Sequence, residues 1–141
     1  MKGSYILLIE LASNKDIPIG KLGCVSFPKA FYAYVGSAMN GFKVRLAHHL
    51  KQRKEPHWHI DYLLNEAKIV DIILCPGEQR AECFLAQQLA RDFQFIPGFG
   101  SSDCHCSSHL YFDANLDKLR TRIEAACKSI ESLQWESEVI S

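Results

Sequence analysis

The sequence predicts an α+β domain. Three runs with strand character, at residues 4–11, 31–35 and 68–75, alternate with segments whose apolar residues keep helical spacing. The chain also reads as one unit. It has 141 residues, 48% of them hydrophobic, and no repeat, low-complexity segment or linker divides it. That suits a single domain over 1–141 with enough apolar content for a core.

The run from Ser4 to Leu11 is almost continuously apolar, as a central strand covered on both faces should be. Ala12 to Pro18 is polar and reads as a turn. Ile17 to Phe27, with Gly20 and Gly23, reads as a short strand or ribbon. Phe31 to Val35 is aromatic and β-branched and is expected to run antiparallel to the first strand. Gly36, Ser37 and Ala38 end it with small residues. Phe42 to Arg53 reads as a basic helix, with Phe42, Leu46 and Leu50 on one face at about 100° per residue. Pro56 closes that stretch. His59 to Glu66 reads as a short helix, Lys68 to Cys75 as the third main strand, and Arg80 to Phe93 as a second long helix. Pro97 to Ser108 is a loop rich in Gly, Ser and Cys, and Leu110 to Phe112 a short edge strand. From Leu116 through Leu119, Ile123, Cys127 and Ile130 to Leu133 the spacing is helical. This predicts a C-terminal amphipathic helix over 113–135, capped by Asp113 or Asn115.

The formal net charge is zero, which removes whole-molecule attraction to a polyanion. A local basic stretch remains, with Lys43, Arg45, Lys51, Arg53 and Lys54; it reads either as a binding patch or as a solvated helix face. No apolar run is long enough to span a bilayer, and the first residues do not resemble a signal peptide. The expectation is a cytoplasmic protein whose six cysteines are reduced thiols or metal ligands. Cys24, Cys75 and Cys127 sit in apolar surroundings and read as packed thiols. Trp58 and Trp135 read as packing residues rather than base-stacking platforms.

Two constellations carry chemistry. In the first, a strand delivers Tyr34, the glycine turn lets backbone come close, and the next helix returns Arg45 and His49 one turn apart. Glu82 falls within the apolar face formed by Leu85, Ala86, Leu89 and Phe93. A carboxylate there needs a metal, an arginine or a dense set of hydrogen bonds. In the second, Cys104, Cys106 and His109 follow His57 and His59 upstream. Thiolate and imidazole are good zinc ligands, and a structural site needs four. Three readings stay open: a zinc site, a loop held by hydrogen bonds, or a redox-active thiol pair. Asp61 and Asp103 are candidate supporting partners or oxygen ligands.

The ordered set Gly3–Ser4–Tyr5, Tyr34–Val35–Gly36–Ser37, Arg45 with His49, and then Glu82 resembles the GIY-YIG nuclease superfamily. With His57 to Leu64, Glu82–Cys83 and Gly98 to Leu110 added, the chain resembles the DUF123 branch, which occurs alone or joined to endonuclease III-type repair domains. The resemblance covers about residues 3 to 113. Ser4 stands where isoleucine is usual, and a late asparagine common in several nuclease branches has no clear counterpart after Glu82.

The resemblance implies a small three-stranded antiparallel sheet flanked by helices. It implies metal-assisted hydrolysis of a nucleic-acid phosphodiester. Glu82 would hold one Mg²⁺ or Mn²⁺, whose oxygen preference suits a carboxylate. Tyr5, with His49 or Tyr34, would activate water, and Arg45 would stabilise charge on the phosphate. Gly36, Ser37, Lys43, Lys51 and Arg53 are the candidate substrate contacts. The implied partners are DNA, with RNA as the other polymer, and a DNA-repair protein; none is a membrane. The competing function is a non-catalytic binding module that uses the His/Cys cluster for zinc.

Overall fold

The computed structural model describes residues 2–51, 55–77, 81–102 and 104–140, with side chains of the last helix described as far as Ile130. Among the described residues, seven strands and four α-helices follow in chain order: β1 (Gly3–Leu11), β2 (Lys15–Pro18), β3 (Cys24–Phe27), β4 (Ala30–Ala38), α1 (Phe42–Leu50), α2 (His59–Leu64), β5 (Lys68–Pro76), α3 (Glu82–Ala90), β6 (Gln94–Phe95), β7 (Leu110–Asp113) and α4 (Leu116–Ile140). The three long strands pair antiparallel with β1 in the middle. The expected three-stranded sheet is nevertheless too small. The main sheet has five strands in the order β5-β1-β4-β7-β6, and β2 and β3 form a second, two-stranded sheet.

Both additions come from short segments. β6 has two residues and pairs with β7, so Leu110–Asp113 lies inside the sheet and is not its edge. A two-residue strand has no alternation to read. On the other side β5 is an edge, and Val70 stands as an extra residue where the β1–β5 register shifts.

β1 is continuous in apolar residues because both of its faces are buried. Tyr5, Leu7, Ile9 and Leu11 enter one core with Tyr34, Phe42, Ile60, Leu63 and Phe99. Ile6 and Leu8 enter the other, with Val35, the α3 residues Leu85, Ala86 and Leu89, and the α4 residues Leu119, Ile123 and Ile130. The alternation of a strand thus sends neighbouring residues into two separate layers.

Several expectations are corrected by this packing. Helix α1 ends at Leu50, which is 58% exposed; His49, not Leu50, is buried beside Phe42. α3 begins at Glu82, and the expected start at Arg80 lies outside the described residues. Asn115 caps α4 by accepting from the Lys118 N–H at 3.1 Å. The side chains of Leu133 and Trp135 lie outside the described residues. Cys75 and Cys127 are joined in a disulfide that ties β5 to α4, so these two are not reduced thiols, and Cys24 is exposed, not packed.

One contact sets the geometry at the end of β1 and β4. Tyr5 pairs in register with Gly36, and a side chain at Gly36 would strike the Tyr5 ring, with Cε1 at 2.8 Å and Cζ and the hydroxyl closer still. Gly36→Ala is therefore expected to lower the unfolding free energy by about 1–3 kcal/mol through overpacking. Urea melts of the two proteins check this; coincident curves would mean that the ring simply moves aside.

Candidate functional site

The ring of Tyr5 lies fully buried beside Gly36, and its hydroxyl meets His49 Nε2 at 2.5 Å. His49 is buried on the inward side of α1. Tyr34, two residues before Gly36, brings its ring centroid to 6.2 Å from that of His49. Burial pushes the Tyr5 phenol far above its ordinary range; the neighbouring Tyr34 adds to this and the Arg45 charge opposes it. Burial likewise pushes Tyr34 up to about 12, against Arg45 and with the charges of Asp61 and Glu82. Both phenols therefore stay protonated at neutral pH.

Arg45 stands one turn before His49, and its guanidinium carbon is 4.2 Å from the Trp58 ring centroid, a cation–π stack. Trp58 is held in turn. Asp61, fully buried, accepts from the backbone N–H groups of His57 and Trp58 at 2.8 and 2.9 Å and from His48 Nε2 at 3.1 Å. Asp61 thus fastens the start of α2 and does not join a metal set. Asp103, its expected companion, lies outside the described residues.

A cavity of about 320 Å³ opens against these groups. Tyr34, Gly36, Ser37, Arg45, Trp58 and Glu82 line it, as do Cys83, Gly100, Cys104 and His109 from α3 and the 97–109 loop. Glu82 is the first residue of α3, and its Oε2 is buried with no hydrogen-bond partner among the described residues. The same is true of Ser37 Oγ. An ionised oxygen without a partner is costly to bury, so Glu82 fits a cation. Gly100 carries φ +69°, and a Cβ there would stand 3.1 Å from the Tyr34 ring; the loop can approach Tyr34 this closely only as glycine.

The structure thus gathers Tyr5, Tyr34, Arg45, His49 and Glu82, with Gly36 and Ser37, at one end of the sheet. Of the other members of the local basic stretch, none that is described lines the cavity. Lys43 and Lys51 are exposed and do not line the cavity, and Arg53 lies outside the described residues.

The cysteines regroup as well. Cys83, Cys104, Cys106 and His109 each offer one ligand atom, all within 4.8 Å of one another, and could hold a metal ion. Cys104 Sγ is 3.4 Å from His109 Nε2. Burial and the two neighbouring thiols push the Cys106 thiol up to about 12, and burial lowers His109, against the charge of Glu82. The expected partners His57 and His59 are not in the set. His57 is exposed with its ring 4.8 Å from that of Trp58. His59 accepts from the Gly100 N–H at 2.9 Å, so it braces the loop and leaves the metal set to Cys83. Reading the sequence left Cys83 among the thiols or metal ligands without placing it in the Cys104/Cys106/His109 group, and it took Trp58 as a packing residue without showing that it supports Arg45. The one signal for Cys83 was its place directly after Glu82.

The Asp61 contacts give a pH dependence. Burial pushes this carboxyl up, but the N–H groups of Trp58 and His57 and the His48 ring outweigh it and hold the acid below its ordinary 3.8. A folded-state value below the unfolded one stabilises the fold fully above that ordinary value, and the gain is lost as pH falls through the folded value. Asp61→Asn is expected to cost about 1.5–3 kcal/mol at pH 7, the worth of hydrogen bonds to a charged group. The gap from wild type should close in acid. Urea melts from pH 7 to pH 3 test this, and a gap independent of pH would contradict it.

Among the described residues no helix is long and apolar enough to cross a membrane. No curated protein and no solved structure matches this chain. One family model does match, described as "Domain of unknown function DUF123", over residues 4–132. It takes in both cores, the cavity and all four members of the Cys/His set, so the chain belongs to the DUF123 family.

Proposed function

We propose that this protein is a divalent-metal-dependent nuclease that hydrolyses DNA phosphodiester bonds in repair or processing. The observation that carries this is Glu82 Oε2, buried without a hydrogen-bond donor among the described residues, in a cavity that Arg45 and Tyr34 share. A carboxylate oxygen is the donor that Mg²⁺ or Mn²⁺ prefers. When bound, such a cation polarises a phosphate oxygen and lowers the pKa of its water. The GIY-YIG-type pattern of the sequence supports the same set of residues.

The chain's own groups divide the remaining work. Arg45, pre-set by its stack on Trp58, offers a guanidinium to a phosphate on the cavity wall. Tyr5 is protonated and hydrogen-bonded to His49 Nε2, so a proton that reaches the Tyr5 oxygen can leave through the imidazole. Tyr34, equally protonated, is a hydrogen-bond donor beside them. Gly36 and Ser37 leave the mouth open for a sugar–phosphate backbone.

The thiolate–imidazole set suits Zn²⁺. It supports a second reading, a zinc-containing nucleic-acid or protein-binding module without cleavage. Glu82→Gln separates the two. Gln keeps the shape and removes the charge, so under the nuclease reading stability should hold or rise while cleavage falls by several orders of magnitude. A plasmid-nicking assay in Mg²⁺ or Mn²⁺ beside a urea melt makes the measurement. A variant that nicks at the wild-type rate, or a wild type that cleaves no DNA or RNA, would count against the nuclease.

A further inference from the structure

Glu82 and Cys83 are the first two residues of α3, and they belong to different donor sets. The start of this helix is packed into the second core through Ala81, Phe84 and Leu85, but among the described residues few polar bonds hold its first turn. The cap residue Ala81 makes no side-chain capping bond; its N–H reaches Ser4 Oγ at 3.3 Å. The other three donors sit on the 97–109 loop, which has no strand or helix among its described residues. That loop also walls the cavity. Gly100 touches the Tyr34 ring, and the His109 carbonyl accepts from the Val35 N–H at 2.9 Å. Tetrahedral zinc with Zn–S bonds of about 2.3 Å sets sulfurs about 3.8 Å apart. The four atoms, all within 4.8 Å, need only a small contraction to reach this.

We infer that Cys83, Cys104, Cys106 and His109 form a structural zinc site that fixes the first turn of α3 and so controls cation binding at Glu82. This rests on reading Glu82 as the ligand of a hard cation. Zinc binding releases the three thiol protons and leaves three thiolates and a neutral imidazole on the metal. It joins α3 to the loop across the cavity wall. Without it, the Glu82 carboxylate keeps its chemistry but loses its fixed place.

The test uses Mn²⁺ as the probe and electron paramagnetic resonance to count bound ion, so it does not depend on finding a nucleic-acid substrate. Four proteins are titrated: zinc-loaded wild type, wild type stripped of zinc, Cys83→Ser and Glu82→Gln. Zinc-loaded wild type should hold one zinc and one Mn²⁺. Stripping zinc, or Cys83→Ser, should weaken Mn²⁺ binding at least tenfold with unchanged far-UV circular dichroism. Returning zinc should restore binding in wild type. Glu82→Gln should keep zinc and lose Mn²⁺. Should Cys83→Ser not fold, Cys106→Ser removes a ligand without touching α3 and carries the same expectation. A wild type without stoichiometric zinc, or Mn²⁺ binding that ignores zinc while still needing Glu82, overturns the coupling alone. Mn²⁺ binding unchanged in Glu82→Gln overturns the reading of Glu82 on which it rests.

Discussion

The rest of the site depends on the place where Tyr5 lies against a residue with no side chain. Strand pairing alone puts Tyr5 opposite Gly36. Because Gly36 has no Cβ, the phenol can lie along β4 and reach His49. That bond ties the sheet to α1 and fixes which side of the helix faces inward. Arg45 follows one turn away, and Trp58 follows Arg45. Sequence spacing therefore becomes geometry through one steric allowance, and the hydrogen bond and the stack are built on it.

Two kinds of donor meet in the same wall without mixing. A lone carboxylate oxygen is hard and suits ions that keep much of their water; three soft sulfurs with a borderline imidazole suit an ion that is enclosed. Neighbouring residues of one helical turn supply one of each. A loop that contributes to only one set still shapes the space around the other, because Gly100 and His109 lie against Tyr34 and Val35.

Much of this arrangement was legible in the residues. β1 and β4 announce themselves because strands buried on both faces are apolar almost throughout, and β5 shows itself by its β-branched run although it is an edge strand with only Cys75 buried. The gathering of Tyr5, Tyr34, Arg45, His49 and Glu82 followed from ordered motifs. What was not legible has physical causes. β6 is too short to show alternation, and β7 looks like an edge unless β6 is known. Leu50 keeps helical spacing with Phe42 yet faces solvent, because the hydrogen bond to Tyr5 draws His49 inward instead. The candidate metal-binding group includes Cys83 in place of His57 and His59 because tertiary proximity, not spacing, decides which donors converge. The Cys75–Cys127 link joins residues 52 apart, and nothing in the local pattern could show it.

The register shift at Val70 bears on how the molecule behaves beside copies of itself. β5 is the outer strand of a sheet buried on both faces, and it carries the exposed apolar side chains of Val70 and Leu74. A straight outer strand of that kind is a template for a second chain to extend the sheet. The extra residue twists the strand and breaks the regular row of donors and acceptors. Asp71, paired with Arg120 at 3.0 Å, sets charge beside that break. The irregularity therefore works against open-ended pairing at this edge, and removing Val70 would leave a straighter strand with a more regular row of donors and acceptors.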